Sequence, residues 1–305
     1  MPLSQLYVTR IQNRFEQEYL ENFRWRAVSE NVSGELASGG DTVRRVRIIT
    51  EPSERVYQEA TQMGAPQRLA QENREVAVDF NPYFRFYVDV IEEQRYMTPS
   101  GLREMGRLGG LSLAEQANNN LRASFVRGLT VGNGGLIGPD TGGIITTTAA
   151  GFGNDAHKDK IYDAIRRAAR LGDSNPRNIP RGGNRVLFLS PRYFELLSEE
   201  LESRNVFFQS PIHDDNITRY EVARLFDWRI VVDNGINSAE TAGSGRHGMH
   251  FIDAGTSVSF AEYPAAERSY TPEGFNGTTL ERTEFLGSGR LSIENKSMYI
   301  PTTIS

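Results

Sequence analysis

The 305-residue chain contains no cysteine, which excludes disulfides, thiolate zinc sites, iron–sulfur clusters and a cysteine nucleophile, and leaves nothing arguing for an oxidising compartment. Cytosolic synthesis is the expectation. Lysine is nearly absent as well: Lys158, Lys160 and Lys296 are the three, so 31 of the 34 basic residues are arginine. Two readings of that bias stand side by side, guanidinium forks suited to bidentate ion pairs at subunit interfaces and codon usage in a GC-rich genome. Long apolar runs are missing too. The densest, Tyr83 to Ile91, is broken by Arg85 and Asp89 and falls short of the roughly 18 residues a membrane span needs. No membrane partner is expected. The opening stretch mixes Arg10, Arg14, Glu16, Glu18 and Glu21 with its apolar residues, so it has no signal-peptide hydrophobic region. With 39 acidic residues the formal net charge is −5 and there is no polybasic tail, which speaks against a protein whose main task is to grip nucleic acid through phosphates.

The length suits two domains or one large domain with insertions, either able to bury a proper core. Tyr7, Ile11, Phe15, Tyr19 and Phe23 recur every fourth residue, the pattern of an amphipathic helix. The Gly- and Ser-rich stretch from Val32 to Asp41 that follows makes this helix read as a tethered arm. Thr42 to Thr50 reads as a strand carrying Arg44, Arg45 and Arg47, and Glu75 to Phe80 as a second strand whose Glu75 and Asp79 could face those arginines. A two-stranded ribbon is marginal alone in water and needs a surface to lie on, with a neighbouring subunit the obvious candidate.

Thr98 and Pro99 read as a helix start, Gly109–Gly110 as a break, and Ser112 with Glu115 as the capping box of a longer helix running to about Gly128. Its buried stripe is Ala114, Ala117, Leu121 and Phe125, with Asn118, Asn119 and Arg122 facing elsewhere. Residues 131–153 hold eight glycines and read as a crossing between two lobes. Beyond them come a helix from His157 to Leu171 stopped at Gly172, a strand from Arg185 to Leu189, and a helix capped by Ser190. A helical segment is expected at Tyr220–Leu225 and a strand at Trp228–Asp233. Asn234 opens a polar loop to Gly248. Strands follow at 249–253, 256–262, 278–285 and 290–300.

Candidate chemistry is thin. Gly243, Gly245 and Gly248 match a dinucleotide-binding spacing, but they follow a loop and precede a strand, so they read as a flexible tip. His247 and His250 fall on opposite faces of a strand, which leaves Asp253 without a metal-ligating set. His213, Asp214 and Asp215 read as turn chemistry. Arg166, Arg167 and Arg170 read as a solvated helix face. No catalytic residue, cofactor or metal is expected.

Three runs carry a resemblance. NIPRGGNRVLFLSPRYFELL, from Asn178 to Leu197, YEVARLFDWRIVVDNGI, from Tyr220 to Ile236, and FLGSGRLSI, from Phe285, resemble in order and spacing the major capsid proteins of tailed double-stranded DNA phages, the Hong Kong 97-type fold. In the second run, Tyr220 and Asp227 stand where the family usually has glycine. The resemblance implies an α+β fold with an N-terminal arm over 1–40 and an extended E-loop over 41–80. The first part of a P-domain would span 81–153, with its spine helix and the glycine-rich crossing, followed by an A-domain over 154–275 and a P-domain return strand over 276–305. It implies a non-enzymatic shell subunit in hexamers and pentamers, in a virion capsid assembled in the bacterial cytoplasm. Implied partners are further copies of itself, portal, scaffolding and possible decoration proteins, and packaged DNA bound without sequence specificity. Arg44, Arg45, Arg47, Glu75 and Asp79, in the E-loop, would make contacts between subunits. Asn234, Gly235, Asn237, Ser238, Gly243 and Gly245 would sit at the capsomer centre. The alternatives are an encapsulin-like nanocompartment shell and, from another class, a soluble α+β hydrolase using His213 or His247.

Overall fold

The computed structural model describes residues 5–36, 40–48, 71–89, 99–127, 160–174, 184–208, 220–236, 249–274, 276–289, 291 and 297–300. The first half runs α1 (Gln5–Asn22), α2 (Arg24–Val28), β1 (Glu30–Asn31), β2 (Thr42–Ile48), β3 (Gln71–Ala77), β4 (Tyr83–Asp89) and α3 (Pro99–Arg127). The second runs α4 (Lys160–Ser174), β5 (Arg185–Leu189), α5 (Pro191–Ser203), β6 (Glu221–Leu225), β7 (Trp228–Val232), β8 (Met249–Asp253), β9 (Ser259–Tyr270), β10 (Gly277–Gly289) and β11 (Ser297–Ile300). Residues 49–70, the glycine-rich 131–153, His157, His213 and residues 237–248 lie outside the described residues.

The four-residue aromatic spacing of α1 places Ile11, Phe15, Tyr19 and Phe23 on one buried face. That face is not a tethered arm: Phe15, Tyr19 and Phe23 join Leu113, Ala117, Leu121 and Phe125 of α3 in one core. The expected break at Gly109–Gly110 is also absent, because α3 runs unbroken from Pro99 to Arg127. These glycines instead let two backbones meet. A Cβ on Gly106 would lie 2.6 Å from the Ile11 carbonyl oxygen, and one on Gly110 2.6 Å from that of Phe15. Helix continuity costs about 1 kcal/mol per glycine, offset by the close packing of α1 on α3. Ser112 therefore lies inside the helix and caps nothing.

Five strands form a sheet in the order β11-β8-β5-β7-β6. Every residue of β5 is buried, as expected of a central strand covered on both faces. Val186 and Phe188 pack toward α2 and α3, while Leu187 and Leu189 pack toward α4 and α5. Ser190 caps α5 by accepting a hydrogen bond from the Tyr193 amide at 3.2 Å, with Pro191 opening the first turn. Gly172 is not a stop, since α4 continues to Ser174.

The segment expected to be helical, Tyr220–Leu225, forms β6, a hairpin partner of β7. The connection decides it: Phe226 and Asp227 have φ of 51° and 66°, the two left-handed residues of a tight hairpin turn. Asp227 thus adopts a backbone suited to the glycine that the resembling family carries there.

A second sheet, β1-β9-β10-β4, is dominated by the long β9–β10 hairpin. Its 12- and 13-residue strands exceed the expected 256–262 and 278–285. Tyr263 pairs with Phe285 and Ala266 with Thr283, so Pro264 and Ala265 oppose Glu284 alone in a bulge that tolerates the missing proline N–H. The third sheet is the ribbon β2–β3.

Candidate assembly interface

The ribbon pairs Thr42 with Ala77 and Ile48 with Gln71, placing Arg44 opposite Glu75, Arg45 opposite Arg74 and Arg47 opposite Glu72. Its inward positions anchor it at home. Val43 and Val76 are buried with Val32, Ala261 and Leu291, so the base of the ribbon lies on its own subunit's second sheet and not, as expected, on a neighbour. Arg45 belongs to the same anchor. Its guanidinium reaches Glu30 at 2.9 Å and donates through Nε to Glu35 at 3.0 Å. These carboxylates offset the like charge of Arg74 across the ribbon, and the Arg45 hydrogen bond holds the Glu35 carboxyl below its usual range.

The outward positions differ. Arg44 and Glu75 pair at 3.2 Å with side chains 74% and 61% exposed, Val46 is exposed on the same side of β2, and Asp79 is exposed further along. An exposed pair of this kind is worth about 0.2–1 kcal/mol, so its residues are available to other partners. Of the five E-loop residues, Arg44, Glu75 and Asp79 are presented to solvent and Arg45 is committed internally. The Arg47 side chain lies outside the described residues.

The polar loop begins at a buried node that the sequence did not reveal. Asp233, the residue after β7, accepts from Trp25 Nε1 at 3.0 Å, from Arg122 Nη1 at 3.2 Å and from the Gly235 amide at 3.0 Å. Arg122 and Asp233 side chains are 2% and 6% exposed, so this is a desolvated ion pair completed by neutral donors, the condition for such a pair to be tolerated. Arg122 also donates to Asn119. Asn118 accepts from the Trp25 amide at 3.1 Å and donates to the Asn22 carbonyl at 2.8 Å. Asn118 and Arg122 therefore do not face away from the core as expected; they bind α2 and the end of β7 to α3. A Cβ on Gly235 would sit 2.6 Å from Arg122 Nη1, so a larger residue there would have to displace the guanidinium from its pair with Asp233. Asn234 beside it is exposed, while Asn237, Ser238, Gly243 and Gly245 lie outside the described residues.

Of the titratable candidates, His250 and Asp253 lie among the described residues and are built into the core and a turn. His250 is fully buried, edge-on to the rings of Trp25 and Phe125 at 5.8 and 5.5 Å. Asp253 accepts from Thr256 Oγ1 at 2.9 Å to close its own turn. Among the described residues no three His, Asp or Glu side chains group to hold a metal, and no described helix is long and apolar enough to cross a membrane.

No family model matches the chain, and no curated protein matches it. Solved structures do. The capsid of the cyanophage P-SCSP1u is similar over 92% of this chain and 88% of its own, with 14% identity and a TM-score of 0.63. The capsid of an empty GTA particle is similar over 92% and 90%, with 11% identity and a TM-score of 0.64. A virus-like particle from Pyrococcus furiosus is similar over 96% and 98%, with 12% identity and a TM-score of 0.51. The likeness extends over nearly the whole chain, and the chain has the α+β, Hong Kong 97-type fold of tailed-phage major capsid proteins.

Proposed function

We propose that this protein is a structural capsid protein that assembles with copies of itself into hexamers and pentamers of a closed icosahedral shell around double-stranded DNA. The observation that carries the reading is end-to-end likeness to capsid structures, covering 92% of the chain with two of them. The ribbon is consistent with it: a two-stranded element anchored at its base by Val43, Val76 and Arg45 while presenting Arg44, Val46 and Glu75 outward is built to reach something beyond its own subunit. Arg44, Glu75 and Asp79 make those contacts, and the loop opened by Asn234 and Gly235 lies at the capsomer centre, its direction set by Asp233. The lobes divide as 41–80, 81–153, 154–275 and 276–305, with residues 5–28 packed into the spine-helix layer.

The role is not enzymatic. A net charge of −5 gives the chain no overall attraction to DNA phosphates, consistent with enclosing DNA without gripping it. Portal, scaffolding and decoration proteins are the further partners, and assembly takes place in the bacterial cytoplasm. The likeness to a virus-like particle supports a second reading, a nanocompartment shell. Particles isolated from the native source decide between them: nuclease-protected double-stranded DNA inside supports the capsid, and an enclosed enzyme with no DNA supports the compartment. A 34.2 kDa species that never forms particles contradicts both.

A further inference from the structure

The contacts that join α1 to α3 also fix their direction. Gly106 meets Ile11 and Gly110 meets Phe15, so the two helices run parallel. In that register Arg103, Arg10, Arg107 and Arg14 follow one another along the seam, contributed by alternate helices. At 1.5 Å of rise per residue they succeed one another about every 3 Å, over about 9 Å of axis. Arg10 and Arg103 are exposed, which puts the row on the solvent side of the helix pair. The side packed inward is the one on which Phe15 stacks on Phe84 of β4.

The row carries surplus positive charge. Its acidic neighbours are Glu18, paired with Arg14, and Glu104, which accepts from Arg107 Nε at 2.8 Å. The Arg107 hydrogen bond holds the Glu104 carboxyl below its usual range, and Arg14, from the other helix, adds to the pull. The two helices thus share one local field. Arg10 and Arg103 make no ion pair among the described residues, and neither helix has an acidic residue in its first turn. A chain of net charge −5 therefore gathers unbalanced cations on this seam. The far face of the neighbouring sheet is different in kind. There β4 exposes Tyr83 and Tyr87, alternating with the inward Phe84, and Arg85 is tied to Glu281 at 3.1 Å.

We infer that the α1–α3 seam faces the shell's interior and seats the phosphate backbone of packaged duplex DNA without reading its sequence. Arg10 and Arg103 meet phosphates directly. Arg14 and Arg107 are held by part-exposed pairs, weak enough for a phosphate to take the place of the carboxylate. The occupant is duplex DNA because it presents a continuous row of charge, about one per 1.7 Å of axis, to a row of cations. Guanidinium forks also match phosphate oxygens in geometry. Phosphate contacts position a duplex and carry no sequence information, so the hold is light for each copy and summed over the shell. The inference rests on the shell reading above.

The test uses DNA-filled particles. The chain has no cysteine, so Asn13→Cys, exposed on α1 between Arg10 and Arg14, carries an azidophenacyl group at one defined point. Tyr83→Cys, 62% exposed on the far face of β4, carries the same group in a second preparation. After photolysis and denaturation, DNA bound covalently to protein is expected from position 13 and none above background from position 83. DNA captured equally at both, at 83 alone or at neither, or a protein captured at 13 in its place, would overturn the seat while leaving the shell reading intact. Particles that hold no duplex DNA overturn the reading of a shell around DNA, and this one with it. Independently, unassembled subunits are titrated with a random-sequence duplex over a range of salt. Each phosphate contact contributes about 0.9 to the slope of log K against log salt, so Arg10→Gln with Arg103→Gln should lower that slope by about 1.8. Arg166→Gln with Arg170→Gln, exposed on α4, should leave it unchanged. An equal loss from both pairs, no loss from the first, or no binding of the wild type at low salt contradicts the inference.

Discussion

Asp233 is the residue whose loss should cost most. Its carboxylate satisfies a buried guanidinium, an indole N–H and an amide at once. Asp233→Ala leaves Arg122 charged and desolvated and should lower unfolding stability by about 3–5 kcal/mol, measured by denaturant titration of unassembled subunits. A loss under about 1 kcal/mol would mean that water reaches Arg122 and that the node does not bind α3 to the sheet. Glu262 gives a pH signature. Burial raises its carboxyl above the ordinary 4.5 against the pull of Arg26, with Glu284 adding to the rise, while Tyr19 and Arg282 line one groove with it. A folded-state pKa above the unfolded value means that the native state binds more protons, so Glu262 makes stability fall as pH rises from 4.5 through the raised value. Glu262→Gln should flatten that part of the stability–pH curve. A variant curve parallel to the wild type would contradict the assignment. At the β6–β7 turn, Asp227 holds φ of 66°, so Asp227→Gly should stabilise by about 0.5–1 kcal/mol despite glycine's greater freedom when unfolded.

Elements show how far local pattern reaches. The period of α1, the buried stripe of α3, the Ser190 cap and the strands β5, β7 and β8 follow from residue spacing, because in each the apolar period matches the face that packs. Three of the misreadings share a cause: a distant partner overrode a local signal. Gly109–Gly110 looks like a break until Phe15 and Glu18 of α1 are laid against it. Tyr220–Leu225 looks helical until Trp228–Val232 folds back beside it. Arg122 looks like a surface residue until Asp233, 111 positions away, reaches it. The ribbon was legible as a ribbon, but the division of its arginines between anchor and outer face was not, because Glu30 and Glu35 arrive from another segment. Gly110→Ala should separate α1 from α3 and lower stability by about 1–3 kcal/mol, read by the same denaturant titration. Arg44→Glu should leave the stability of the lone subunit within about 0.5 kcal/mol of wild type and impair assembly. Arg45→Glu, which sets three carboxylates together at the ribbon base, should lower both. Equal behaviour of the two variants would erase the distinction between outer face and anchor.

At the scale of the whole molecule, the node at Asp233 and the core shared by α1, α2, α3, the inner face of the five-stranded sheet and Phe260 and Leu286 of the β9–β10 hairpin make these elements one body, on which the base of the ribbon is anchored. In the proposed shell, the contacts of the ribbon's outer face would each be weak alone and multiplied around closed rings. Covalent reinforcement by lysine isopeptides or disulfides has little to draw on: the three lysines lie at 158, 160 and 296, none in residues 41–80, and there is no cysteine. Mature particles boiled in denaturant without reductant should run as a single band near 34.2 kDa, and a ladder of multiples would contradict this. The central claim, that the chain builds a shell, is tested most directly by negative-stain electron microscopy of the purified protein. Closed particles of uniform diameter, built of rings of five and six, are the predicted result. A homogeneous preparation of monomers or small discrete oligomers, at concentrations where capsid proteins would assemble, would contradict it.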